Sequence, residues 1–272
     1  MLKILSLLIF LAGLSACAKQ QATWSFEAEP KWIDLSHSYD NATLYWPNNK
    51  KGFEHITEAE GKTKSGYYYS SYSLCTPEHG GTHLDAPIHF AEHKLAVDQL
   101  PLNSLTGKAV VIDVSRQALT NRDYQVSIED IEHWEKPNGR IPDNTIVLFS
   151  TGYARFYPDR KSYFGTAKTG PEAIPELHFP GIDPDTTQWL IEKRSVKALG
   201  LDTPSIDYGQ SKDFKTHQIL LGHNKPGFEN LTHLDQLPAK GLYLIALPMK
   251  IAGGSGAPLR IIATLTPGPS TD

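Results

Sequence analysis

The stretch His79-Gly80-Gly81-Thr82-His83-Leu84-Asp85-Ala86-Pro87-Ile88-His89-Phe90 places three imidazoles and a carboxylate close together in the chain. His79, His83, Asp85 and His89 all carry odd numbers, so an extended chain would point them to one side. Extension alone cannot bring them to one ion. A strand rises about 3.3 Å per residue, which would leave His79 and Asp85 roughly 20 Å apart. The ligands of one metal each lie about 2–2.3 Å from it. The chain must therefore turn inside the stretch. Gly80 and Gly81 permit backbone angles closed to other residues, and Pro87 forbids an interior helical bond two residues after Asp85. A helix would also pair His79 with His83, but two glycines between them cost about 1 kcal/mol each against alanine. The expectation is an irregular bend. Imidazole nitrogen and carboxylate oxygen suit zinc, manganese or a similar divalent ion. A catalytic ion needs an open coordination position for water and a proton carrier beside it. Three ligands from the stretch, with His89 left to move protons, would satisfy both needs.

Around this stretch, short apolar runs read as strands: Tyr67–Leu74, Ala109–Val114, Ile146–Ser150, Val196–Leu201 and Leu242–Leu247. Helix-like segments lie between them. Ser127 opens SIEDIEHWE with Asp130 three residues on as an approximate capping box. Asp183 precedes Pro184 at the head of DPDTTQWLIEKRS, an N-cap followed by proline at the first helical position. Strands alternating with helices predict a single α/β domain, a mixed β-sheet with packed helices, over residues 30–272.

The N-terminal segment has another character. Lys3 supplies a positive start, Ile4–Leu14 is apolar but too short to span a bilayer, and small residues precede Cys17. The pattern resembles a bacterial lipoprotein signal. It implies removal of residues 1–16, lipidation of Cys17 and a tether over 17–29. The protein would then sit in the cell envelope and touch the membrane only through its lipid. An ordinary cleaved secretory signal is the alternative. With Cys17 lipidated, Cys75 is the one cysteine left and no intrachain disulfide forms. A net charge of −4 without basic runs argues against nucleic acid as a partner.

The pattern His-x-Gly-x-His-x-Asp-x-Pro-x-His, from His79 to His89, resembles the cyclase-like metal-dependent hydrolases, which include bacterial kynurenine formamidases and isatin hydrolases. Trp32–Ser36 looks like that family's opening strand and Tyr45-Trp46-Pro47 like the element that follows. Ser150–Tyr153 and Gly200–Asp207 are further family-like blocks. Glu78 and the stretch Gly253–Arg260 look more like the isatin hydrolases, while Asn48-Asn49 departs from the Gly-Asp that formamidases tend to carry. The resemblance implies the cyclase-like swivelling β/α fold, with His79, His83 and Asp85 as ligands and His89 as proton donor or acceptor. In two-metal members a later histidine and a glutamate twelve residues on complete the site, which falls on His217 and Glu229, with His223 as rival to His217. One or two ions, Zn2+ or Mn2+, are expected, and Asp85 would bridge two because a carboxylate offers two oxygens. Trp46 and His178 are candidates to touch substrate, although Trp46 reads equally well as a core residue and the plainer reading of His178 is a surface-loop histidine. The implied substrate is a small amide, N-formylkynurenine or an isatin-type lactam, and the implied assembly a homodimer or homotetramer with its pocket near a subunit interface. A non-catalytic binding lipoprotein and a purely structural metal site are the rival readings.

Overall fold

The computed structural model describes residues 31–265. Cys17, the signal and the tether expected before the domain lie outside the described residues. In chain order the strands are β1 (Trp32–Asp34), β2 (Glu54–Lys62), β3 (Tyr68–Cys75), β4 (His83–Asp85), β5 (Thr106–Asp113), β6 (Gln125–Val126), β7 (Ile146–Ser150), β8 (Gly181–Ile182), β9 (Ala198–Leu201), β10 (Gly227–Glu229), β11 (Leu242–Pro248) and β12 (Gly256–Leu265). The helices are α1 (Leu102–Leu105), α2 (Ser115–Thr120), α3 (Ile128–Asn138), α4 (Arg160–Phe164), α5 (Pro184–Arg194) and α6 (Lys215–Gly222).

The main sheet runs β1-β12-β11-β5-β7-β9-β10-β4. Strands β5, β7, β9 and β10 are parallel neighbours, and the remaining pairs are antiparallel. The sheet is mixed, as expected. Strand β12 serves two partners along one edge, β1 at Ile262–Thr264 and β4 at Gly256–Pro258. The second pairing joins the two ends of the sheet and closes it into a barrel-like ring.

Alternation along the strands separates two cores. Ala109 and Val111 of β5 join Leu84, Phe228, Leu244 and Ile261 in the cluster enclosed by the ring. Val110 and Ile112 of the same strand face Ile131 and Trp134 of α3 and Leu190 of α5. All five residues of β7 are buried, as a parallel strand covered on both faces requires. Helix α3 begins at Ser127, where the capping box with Asp130 is present. Its Trp134 Nε1 donates to the Val111 carbonyl at 2.8 Å. At the head of α5 the Asp183 side chain accepts from the Asp185 and Thr186 amides, and Arg194 near its end pairs with Glu135 of α3 at 2.6 and 2.7 Å.

One of the expected strands lies outside the main sheet. The segment expected to be a strand over Tyr67–Leu74 forms β3 one residue later, but it does not enter the main sheet. It pairs with β2 in a separate two-stranded ribbon. Tyr67, Tyr68 and Tyr69 are 61, 62 and 50% exposed, so this aromatic run packs on no core. Its partner, EHITEAEGK, is polar and nearly all exposed. A strand without a buried face carries no apolar alternation, which is why β2 has no signature in the sequence.

Candidate metal centre

The bend expected inside the histidine stretch forms at its two glycines, with φ of +144° at Gly80 and +55° at Gly81. Both angles lie in the region glycine tolerates. The ring of Tyr45 lies so close to Gly80 that a Cβ there would stand 2.1 Å from Tyr45 Cδ1. The Tyr39 hydroxyl lies 2.7 Å from the carbonyl oxygens of both Gly80 and Thr82. Past the bend, β4 sets His83 and Asp85 on one side, two residues apart. This three-residue strand lies between β10 and β12. Its register with β10 places Glu229 opposite His83, which is how a glutamate distant in sequence reaches the motif. His217 enters from α6, and His89 closes a 3-10 turn at Pro87–His89.

Four of the five side chains predicted as ligands, His83, Asp85, His217 and Glu229, converge, and His79 joins them through Asp85. His83 Nε2 lies 3.3 Å from Asp85 Oδ1 and 3.4 Å from Glu229 Oε2. His217 Nε2 lies 3.2 Å from Asp85 Oδ2 and 3.1 Å from Glu229 Oε1. His79 Nδ1 lies 2.7 Å from Asp85 Oδ1. Donors about 2.1 Å from a shared ion stand roughly 3.0–3.4 Å apart in octahedral or tetrahedral arrangement, so the first four separations suit a divalent cation. Two donor groups have all their ligand atoms within 4.8 Å of one another, His83–Asp85–Glu229 and His79–Asp85–His89. Asp85 belongs to both.

The charges make the same case. Asp85 and Glu229 are 1 and 4% exposed, and among the described residues no lysine or arginine pairs with either. Buried carboxylates without such partners need protonated neighbours or a metal. Burial alone pulls His83 down, but Asp85 and Glu229 outweigh it and hold its pKa up at about 9. His217 is likewise raised, against burial, by hydrogen bonds to Asp207, Asp85 and Glu229. Burial and the Asp85 charge push Glu229 up, whereas Asp85, despite its burial, is held well below its usual range chiefly by His83. Protons on the imidazoles hold the carboxylates together, and a divalent cation can take their place. His89 differs: burial lowers it to about 3, so its imidazole is neutral.

A cavity of about 270 Å³ opens over this cluster, with Trp46, Phe90, Phe164 and Phe214 among its walls. Trp46 both lines the cavity and packs edge-on against Phe164, Phe179 and Phe214, with ring centroids 6.4, 6.2 and 6.0 Å away. Its two readings, core and pocket, hold together. Asn48 and Asn49, where this chain departs from the formamidases, also line the cavity. His178 does not. Leu177 and Phe179 beside it are fully buried, so the intervening side chain turns outward, where its Nδ1 meets the Asp123 carboxylate at 2.8 Å. His223 is exposed at the end of α6 with Nδ1 2.8 Å from the Ile219 carbonyl, which leaves the buried His217 as the histidine of the cluster.

Asp207 is the main residue that sequence reasoning missed. Its Oδ2 lies 2.5 Å from His217 Nδ1, and it accepts the amides of Thr216 and His217 at 3.0 and 3.1 Å. The imidazole donates Nδ1–H to this carboxylate and presents Nε2 to the cluster. His83 does the same through Nδ1–H to the Gly81 carbonyl at 3.0 Å. A metal-binding histidine ordinarily takes such a partner, but Asp202, Asp207 and Asp213 all precede His217 and no spacing selects among them. Asp207→Asn keeps an acceptor for the amides and loses the charge behind His217. It is expected to weaken divalent-metal affinity about 10- to 100-fold, checked by titration against a competing chelator; unchanged affinity would remove Asp207 from the site.

Residues 33–208 match the sequence profile of the Cyclase family. An isatin hydrolase from Roseibium aggregatum is 33% identical over 206 residues, covering 73% of this chain and 76% of that protein. A kynurenine formamidase from Salinibacter ruber is 32% identical over 237 residues, covering 87% of this chain and 99% of that protein. The solved structure of isatin hydrolase A from Labrenzia aggregata bound to benzyl benzoate has a TM-score of 0.77 at 31% identity, covering 88% of this chain and 94% of that chain. With the histidine motif intact, this chain belongs to the cyclase family of metal-dependent hydrolases.

Proposed function

We propose that the chain hydrolyses the C–N bond of a small aromatic amide, with aryl formamides of the N-formylkynurenine type as the first substrate class. The observation that carries this reading is a buried His/Asp/Glu cluster at the floor of an aromatic-walled cavity. The residues that would hold one ion or two are His79, His83, Asp85, His217 and Glu229, and their imidazole and carboxylate donors suit Zn2+ or Mn2+. A divalent ion there lowers the pKa of water and polarises the substrate carbonyl. Water oxygen adds to the carbonyl carbon, the C–N bond breaks, and the departing nitrogen needs a proton.

His89 is assigned to carry that proton from the water to the nitrogen. Its ring lines the cavity, stacks on His79 at 3.8 Å between centroids, and has no hydrogen-bond partner among the described residues. His89→Ala is expected to retain the metal and lose about 10²- to 10⁴-fold in turnover. Loss of metal in that variant would make His89 a ligand instead, with His79 and Asp85. The isatin-type lactam is the second substrate reading, because the two stretches that look like isatin hydrolases, around Glu78 and Ser255, are hydrogen-bonded to each other. Turnover of N-formylkynurenine, formanilide and isatin by protein reconstituted with zinc or manganese tests both. Absence of hydrolysis on all three overturns the substrate class.

Assembly and location belong to the same proposal. The β2–β3 ribbon exposes Tyr68, Tyr69 and Tyr72, a surface that a second copy would cover in a homodimer or homotetramer; sedimentation as a monomer refutes it. Cys17→Ser is expected to abolish lipid labelling and release the protein from the envelope.

A further inference from the structure

His79 uses its two nitrogens differently from the other histidines of the cluster. His83 and His217 give Nδ1–H to an outer acceptor and present Nε2. In His79 it is Nδ1 that faces the cluster, 2.7 Å from Asp85 Oδ1, while Nε2 points away to Ser255 Oγ at 2.9 Å. Ser255 Oγ in turn lies 2.8 Å from Glu78 Oε2. That same carboxylate oxygen accepts the Ser255 amide at 2.9 Å and the Gly256 amide at 3.3 Å.

The geometry points to Glu78 as a positioning residue that acts through Ser255 to turn the free nitrogen of His79 toward the metal. This rests on the metal-centre reading above. The Ser255 hydroxyl donates its hydrogen to Glu78 Oε2. The hydroxyl oxygen then has only lone pairs to offer His79, and Nε2 must carry the ring proton. Nδ1 is left with its lone pair beside Asp85 Oδ1. Two acceptors 2.7 Å apart are reconciled by a cation or a further proton between them. Glu78, by accepting from Ser255, thus gives the relay its direction, and the relay leaves the Nδ1 lone pair of His79 to meet a cation.

The surrounding glycines fit this role. A Cβ on Gly256 would stand 2.4 Å from His79 Cε1, and one on Gly254 would stand 3.2 Å from Glu78 Oε1. The loop that delivers Ser255 is therefore flanked by residues that leave room for the imidazole and the carboxylate. Glu78 adjoins His79 in sequence, yet reaches its ring through a residue from the far end of the chain.

Competition titration of Zn2+ or Mn2+ against a chromophoric chelator tests the relay on the native protein, Glu78→Gln, Ser255→Ala and the double variant. The glutamine amide can donate to Ser255 Oγ and so removes the direction. Ser255→Ala removes a single oxygen and keeps the backbone amides on Glu78. Each single variant is expected to bind metal about 10- to 100-fold more weakly, and the double variant no more weakly than the worse single, because one pathway is cut twice. Nitrogen-15 spectra of the histidine rings should show His79 shift away from the Nε2–H tautomer in both single variants. Unchanged affinity in Glu78→Gln, an unchanged His79 tautomer, or single-variant losses that multiply in the double variant each overturn the relay. A native protein that binds neither ion overturns the metal centre itself, a result distinct from these.

Discussion

Asp85→Asn yields a folded protein without metal, with turnover lowered by about a thousandfold or more. Asp85 is the one carboxylate that reaches His79, His83 and His217 together, at 2.7, 3.3 and 3.2 Å. It also belongs to both donor groups. Asparagine matches its shape and can stay between β10 and β12, but it removes the negative charge that draws a cation into a buried site. Loss of the ion forfeits several kcal/mol of charge stabilisation in the transition state, and about 4 kcal/mol corresponds to a thousandfold in rate. Elemental analysis of the purified variant beside its turnover decides the matter. Native metal content with native activity would refute the assignment of Asp85 as the shared ligand.

Gly80→Ala acts on stability first and on the site second. The added methyl would meet the Tyr45 ring at 2.1 Å, at a backbone φ of +144°. Tyr45 is 5% exposed and its hydroxyl is tied to Thr76 Oγ1 at 2.7 Å, so the ring cannot swing aside. Overpacking costs about 1–3 kcal/mol and the strained backbone about 1–3 kcal/mol more. At about 2–4 °C per kcal/mol for a domain near this size, the melting temperature should fall by roughly 4–24 °C. Gly222→Ala is the matched control, since a Cβ there meets nothing within 4 Å. Equal melting temperatures for the two variants would mean that the bend at Gly80 has another conformation.

What could be read in advance divides along physical lines. The turn between His79 and Asp85 follows from reach, because a straight strand is too long to serve one ion. Strand β7 and the helix starts at Ser127 and Asp183 follow from local chemistry, apolar run and cap. Strand β2 was silent because neither of its faces is covered. Strand β12 begins in a glycine-rich loop whose strand character comes from its partners β4 and β11 rather than from its own composition. In the site, the motif residues were legible because they share one short stretch. Asp207 and the Glu78–Ser255 contact were not, since each depends on which distant backbone the folded chain sets alongside. His178 went the other way: its neighbours Leu177 and Phe179 point inward, and the alternation of the chain carries the histidine out.

The seam formed by β4 has a consequence for how the protein matures. Both flanks of that three-residue strand are supplied late in the chain, by Gly227–Glu229 and by Gly256–Pro258. Pairings of such long sequence separation form only after a large loss of chain entropy. A nascent or truncated chain can therefore own every motif residue from His79 to His89 and still have no place for an ion. Once the seam is sewn, a bound ion favours the closed ring over any open one by simple mass action. Metal uptake then marks a finished chain, and chelator-resistant metal is a direct assay for it.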